Sequence, residues 1–84
     1  MAKYDPLRNY LVDQSSKGIK QVSLTFQQIE NIIGDEMELS ARKYFTSWDN
    51  RGGAGCVRQN SWLVAGWRTV MVDMENERVK LLHI

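Results

Sequence analysis

The sequence predicts an α+β domain of winged-helix-like build: helix, strand, three further helices, then a C-terminal β-hairpin. Three observations predict it. Val22, Leu24 and Phe26 alternate with Gln21, Ser23 and Thr25, the period of a half-buried strand. Val70, Val72 and Met74, then Val79 and Leu81, repeat that alternation at the C-terminal end. Between these segments the apolar residues fall at helical spacing. The single strand is expected beside the terminal hairpin, giving a small antiparallel three-stranded sheet, because a lone hairpin is marginal in water.

Each element has a local cause. Asp5 is placed to cap a first helix, and Pro6 at its first position gives up only an amide without a helical partner. Leu7, Tyr10 and Leu11 mark its inward face, and it is expected to run to about Gln14. Ser15, Ser16, Lys17 and Gly18 read as a turn. A strand follows within residues 19–26. Thr25 and Gln28 have capping-box spacing, so this strand should pass directly into a helix. That helix shows Phe26, Ile29, Ile32 and Ile33 to the core, and Gly34 is placed to end it in the left-handed conformation.

Residues 35–39 form an acidic connector, with Met37 and Leu39 expected inward. Ser40 should cap a helix over 40–48, with Ala41, Tyr44, Phe45 and Trp48 as its buried stripe. Residues 49–55 hold no regular element. A short helix over 57–65 follows, with Val57, Trp62 and Leu63 apolar and Gly66 as its stop. In the hairpin, Val70, Val72 and Met74 are expected inward, and Thr69, Met71 and Asp73 outward. Glu75, Asn76 and Glu77 turn the chain.

Length and composition bound the rest. Eighty-four residues make one small domain with a thin core. At 43% hydrophobic and 25% charged, the composition is that of a globular chain. No apolar run reaches the roughly 18 residues of a membrane span. The N-terminus lacks the apolar centre of a secretory signal. Cys56 is the only cysteine, so an internal disulfide is excluded and a reducing cytoplasm is the expected setting. The net charge of +1 argues against a polybasic nucleic-acid binder while permitting a local patch.

Such a patch is suggested by charge asymmetry. Glu30, Asp35, Glu36 and Glu38 cluster ahead of Arg42, Lys43, Arg51, Arg58 and Arg68. These five cations form a candidate phosphate-facing surface. If the 40–48 helix is the second of a helix-turn-helix, Arg42, Lys43 and Thr46 can meet base edges. The competing reading is a solvated face whose cations pair with Glu36, Glu38 or Asp49. Asn50, Gln59 and Asn60 suit adenine edges, or loop bracing. Gly52, Gly53, Ala54 and Gly55 precede a helix and can offer amides to a backbone phosphate. They lack the lysine–serine ending of a nucleotide-binding loop, so no nucleotide cofactor is expected. Trp48, Trp62 and Trp67 can stack on bases, but their spacing in so small a domain favours burial. Catalysis finds little support: His83 is the only histidine, Cys56 has no evident base, and no cluster has metal-ligand spacing.

Several short patterns act together: Tyr4-Asp5-Pro6-Leu7 with Tyr10-Leu11; Leu24-Thr25-Phe26 with Ile29-Glu30 and Ile32-Ile33-Gly34; Ser40-Ala41; Trp48 and Asn50; Arg58-Gln59; and Trp62-Leu63 with Ala65-Gly66-Trp67. With these, nearly the whole chain resembles a family of small, mostly uncharacterised bacterial and phage domains. Similar segments occur within longer bacterial proteins, some linked to nucleases, so the resemblance implies a lean towards DNA. Glu38 stands where that family commonly has proline, and Ser47 where it commonly has a second tryptophan. Two functions are therefore expected to compete. One is a nucleic-acid-binding accessory domain using Arg42, Lys43, Thr46, Asn50, Arg51, Arg58, Gln59 and Arg68. The other is a protein-interaction module such as a small regulator or inhibitor.

Overall fold

The computed structural model describes residues 3–52 and 56–84, with the backbone alone for Val57. The elements run α1 (Asp5–Ser16), β1 (Gln21–Thr25), α2 (Phe26–Ile33), α3 (Leu39–Lys43), a 3₁₀ turn (Phe45–Trp48), α4 (Val57–Val64), β2 (Trp67–Asp73) and β3 (Arg78–His83). The sheet is antiparallel throughout, in the order β1-β3-β2. The first strand thus pairs beside the terminal hairpin, and both β1 and β2 are edges. Helices cover one face of the sheet, where Val22, Leu24, Trp67, Thr69, Val79 and Leu81 are buried. The other face carries Gln21, Ser23, Arg68, Met71, Arg78 and Leu82, all exposed.

The strand-to-helix junction follows its local chemistry. Thr25 Oγ1 accepts from the Gln28 N–H at 3.1 Å, and Gln28 Oε1 accepts from the Thr25 N–H at 2.8 Å. This closes the capping box and makes Phe26 the first helical residue. Gly34 ends α2 at φ +69°, as a left-handed cap requires. At the other end of the chain, Phe26 N–H donates to the Glu77 carbonyl, joining α2 to the hairpin turn.

Expectations for three segments need correction: the first helix, the 40–48 helix and the first hairpin strand. Asp5 is not the cap of α1: the helix begins at Asp5, and the Tyr4 carbonyl accepts from the Leu7 and Arg8 amides. The helix also continues to Ser16, because the Ser15 and Ser16 hydroxyls donate back to the Val12 and Asp13 carbonyls.

The helix expected over 40–48 is broken at Tyr44, whose backbone is extended (φ −120°, ψ 123°), and Ser40 does not cap it. Trp48 Nε1 donates to the Ala41 carbonyl at 2.8 Å, and Ser47 Oγ to the Ser40 carbonyl at 2.9 Å. Ala41 O is the acceptor a continuing helix would offer to residue 45. The indole takes it instead, and the chain tightens into the 3₁₀ turn. Of the expected stripe only Ala41 and Trp48 are buried; Tyr44 and Phe45 turn outward, as does Leu39.

In β2 the register slips between Thr69 and Met71, so Val70 is the extra residue of a β-bulge. The alternation reverses there: Thr69 lies inside and Val70 and Met71 outside, while Val72 packs against the core. The Thr69 hydroxyl is consequently buried without a hydrogen-bond partner among the described residues. Thr69→Val keeps the shape and removes the unpaired group. It is expected to stabilise the domain by about 1 kcal/mol, raising Tm by about 4–8 °C. A calorimetric scan that shows no rise refutes this.

The core is organised by aromatic rings. Trp48 lies between Phe26 and Trp62, with centroids 5.3 and 5.8 Å away and planes within 13°. Trp67 meets His83 edge-on, and its Nε1 donates to the Leu11 carbonyl at 3.1 Å. All three tryptophans are buried, as their spacing suggested.

Candidate interaction surface

Of the predicted contact residues, Thr46, Asn50 and Arg51 line one concavity, Arg58 and Gln59 meet on the Ser47 carbonyl, and Arg42 is engaged between two carboxylates. Arg42 bridges Glu30 and Glu77, tying α3 to α2 and to the hairpin turn. Glu30 also accepts the Met37 N–H at 2.9 Å; that bond, followed by the Arg42 contact, holds its carboxyl below the usual range. Arg58 is more enclosed, with 11% of its side chain exposed. It donates to Glu38 at 3.1 Å and to the Ser47 carbonyl at 3.0 Å, and its guanidinium lies within 6 Å of the Tyr4 and Trp48 ring centroids. Gln59 Nε2 donates to that same Ser47 carbonyl at 3.1 Å.

Asn50 is committed to the sheet. Its Nδ2 donates to the Thr69 carbonyl and its Oδ1 accepts the Thr69 N–H, both at 2.9 Å. Oδ1 also accepts from Trp62 Nε1 at 3.0 Å. Of the two readings held open for Asn50 and Gln59, loop bracing is what their contacts provide. Arg51 pairs with Asp49 at 3.3 Å on the open surface, an arrangement worth little to stability. Lys43 is exposed beside the Tyr44 ring, Thr46 is exposed on the 3₁₀ turn, and Arg68 stands on the outer sheet face. The expected phosphate cradle falls largely on Gly53, Ala54 and Gly55, outside the described residues.

Tyr4, Glu38 and Arg58 form one cluster. Tyr4 Oη donates to Glu38 at 2.6 Å and accepts from Arg58 Nε at 3.4 Å. Burial, then the bond to Glu38, pushes the Tyr4 phenol up to about 12. For Glu38, burial opposes ionisation, but bonds from Tyr4, its own backbone N–H and Arg58 outweigh it and bring the carboxyl down to about 2. A depressed carboxyl stabilises the fold above its unfolded value of 4.5 and loses that contribution as pH falls towards 2. The raised phenol contributes fully below pH 10 and is lost between 10 and about 12. Thermal melts are therefore expected to show Tm falling on the acid side of pH 4.5, with a shallower fall for Glu38→Gln. Parallel profiles for the two proteins refute it.

The feature that sequence reasoning missed is that concavity itself. A groove of about 510 Å³ runs between the 3₁₀ turn and β2, lined among others by Phe45, Trp48, Asn50, Arg51, Met71 and Val72. In its lining large apolar side chains stand in water: Phe45 is 68% exposed, Val70 53% and Met71 50%. One signal was present in the sequence: Val70, Met71 and Val72 are three apolar residues in a row where alternation asks for a polar one. Among the described residues no group of acids, histidines and cysteines has the geometry to hold a metal ion.

Fold and surface together define a small α+β domain that offers a groove of mixed apolar and polar lining beside a sheet edge. The chain belongs to the family described as "Domain of unknown function (DUF7662)", whose pattern matches residues 4–83. No curated protein and no solved structure matches it. No helix among the described residues is long and apolar enough to cross a membrane.

Proposed function

We propose that the domain is a protein-interaction module whose contact face is the groove between the 3₁₀ turn and β2. The observation that carries this reading is the exposure of Phe45, Val70 and Met71 around one concavity. Clustered exposed apolar side chains beside a groove are the usual mark of a partner surface. Arg42 and Arg58 are engaged with carboxylates of this chain, which counts against a phosphate-facing role for two of the five cations. The module binds rather than catalyses, uses no cofactor, and works in a reducing cytoplasm, in keeping with its single free Cys56.

Nucleic-acid binding is the second reading, and a different surface supports it. Arg68, Arg78 and Lys80 lie on the outer sheet face with Asp73 as the acid among them. Against it, α3 spans five residues, about 7.5 Å, which is short for a helix reading a major groove.

One pair of measurements separates the two. Immobilised parent and Phe45→Asp proteins are compared for what they retain from a host lysate, and both are titrated against labelled duplex and single-stranded DNA at low and high salt. The interaction reading expects a retained protein that Phe45→Asp loses at unchanged Tm, with no DNA binding. Micromolar DNA binding that falls steeply with salt and is lost in the Arg68→Ala, Lys80→Ala double variant would establish the second reading instead.

A further inference from the structure

We infer that the domain pairs with a second copy of itself along the free edge of β1, joining two three-stranded sheets into one continuous sheet about a two-fold axis at Val22. This goes beyond the groove reading and does not depend on it.

The direction of each backbone group in β1 follows from two bonds. His83 N–H donates to the Lys20 carbonyl and Phe26 N–H to the Glu77 carbonyl, so Lys20 and Phe26 face β3 and its turn. In an antiparallel ladder this orientation alternates. Val22, opposite Leu81, and Leu24, opposite Val79, therefore also face β3, while Gln21, Ser23 and Thr25 turn their N–H and C=O groups outward. The chain itself closes both ends of that edge. Ile19 N–H donates to the Gln14 carbonyl at 3.0 Å, and Thr25 N–H to Gln28 Oε1 at 2.8 Å. Between these stops Gln21 and Ser23 are exposed, and among the described residues neither has a backbone bond on its open side.

Two open residues on either side of an engaged one make a self-complementary edge. With Val22 on the two-fold axis, Gln21 of each copy lies opposite Ser23 of the other, and each such pair exchanges two N–H···O=C bonds. No other antiparallel register matches both open residues with open residues. Gln21 opposite Gln21 sets Ser23 against the closed Ile19, and Ser23 opposite Ser23 sets Gln21 against the closed Thr25. In the Val22 register the next pair outward is Ile19 with Thr25. Both of their amides are already taken, so the ladder stops where each chain has closed it. At the axis Val22 meets Val22 as a close pair without hydrogen bonds, side chain against side chain on the core face.

The side chains permit this contact. On the outer face, β1 carries the uncharged Gln21, Ser23 and Thr25, while Arg68, Lys80 and Arg78 stand on β2 and β3. Edges that avoid pairing commonly carry a charge. The nearest here, Lys20, lies outside the open pair, and the two copies of it are separated by roughly 14 Å along the strands, beyond the screening length at physiological salt. The β2 edge cannot replace the second β1, because Asn50 occupies Thr69 and the bulge at Val70 breaks the run. Pairing is thus β1 to β1, an isologous contact that closes as a dimer with a blunted edge at each end.

Sedimentation equilibrium from about 10 μM to 1 mM tests this, since a contact built on two such pairs belongs among weak interfaces. The mean mass is expected to rise with concentration from the monomer's 9.7 kDa towards twice that value. Over the same range the Gln21 and Ser23 amides should exchange at least about threefold more slowly. In a mixed-label sample, intermolecular NOEs should join the Val22 methyls of the two copies. Ser23→Pro removes an open N–H that β3 does not need and should weaken the dimer at least about fivefold. Ser23→Lys keeps that N–H and brings two like charges to diagonal positions; it should weaken the dimer similarly, and it decides the matter if the proline variant does not fold. A protein that stays monomeric at 1 mM overturns the inference, as does a dimer in which Gln21 and Ser23 gain no protection. Neither result touches the groove reading, which lysate capture tests separately. A dimer lost in Phe45→Asp but kept in both Ser23 variants places the contact in the groove and overturns the inference too.

Discussion

Trp62→Ala is expected to leave no cooperatively folded domain, or one melting at least about 15 °C below the parent. Removing a buried tryptophan costs about 3–5 kcal/mol in lost transfer energy and residual cavity. A domain of this length has on the order of 5–10 kcal/mol in total, and each kcal/mol moves Tm by about 4–8 °C. The cost should fall at the upper end here. Trp62 is fully buried, its ring stacks on Trp48, and its Nε1 donates to the Asn50 oxygen that also orders Thr69. Trp62→Phe keeps a ring against Trp48 while losing the donor and part of the indole's volume, so it is expected to fold with a smaller deficit than Trp62→Ala. Circular dichroism melts decide the matter, and a Trp62→Ala protein melting within a few degrees of the parent shows that the aromatic stack does not organise the core.

Arg58→Met is expected to be the most damaging change to a charged residue. The methionine keeps an apolar stem against Tyr4 and Trp48, but it leaves Glu38 and the Ser47 carbonyl without the guanidinium. Breaking an enclosed pair costs about 3–5 kcal/mol. Because Glu38 is 44% exposed and can recover water, about 2–3 kcal/mol is the expectation here. Arg58→Lys should not restore it, since a point charge cannot bridge Glu38 and Ser47 as the planar fork does. Glu38→Gln in the Arg58→Met background should cost less than it does alone, and that non-additivity measures the contact. Additive melts would show that Arg58 works mainly through its rings. Glu38 and Ser47, the two departures noted from the resembling family's pattern, both touch Arg58, so this pair of positions is held by one side chain.

These predictions bear on elements of unequal legibility. The Thr25 capping box, the left-handed Gly34, the burial of all three tryptophans and the pairing of β1 beside the hairpin follow from spacing within a few residues, together with the need to cover a hairpin. The break at Tyr44 does not. It depends on Trp48 Nε1 reaching back seven residues to Ala41, and a helical wheel drawn over 40–48 contains no such bond. The bulge at Val70 is similar: a strand's alternation can be read from sequence, but a phase slip within it is set by where Thr69 must sit to meet Asn50, nineteen residues away. Both misreadings fell on the same surface, which is why the cation cluster was legible and the groove was not.

The sequence by itself determined the α+β class, the succession of helix, strand, helices and hairpin, and the burial of its three tryptophans, because capping, turns and apolar period act over a few residues and scarcely depend on the rest of the chain. Tertiary structure alone decided which cations are engaged internally and which apolar residues remain in water. An arginine's partners and a strand's register are set by groups brought together from distant parts of the chain, and that choice moved the candidate contact surface from the basic residues to Phe45, Met71 and the edge of β2.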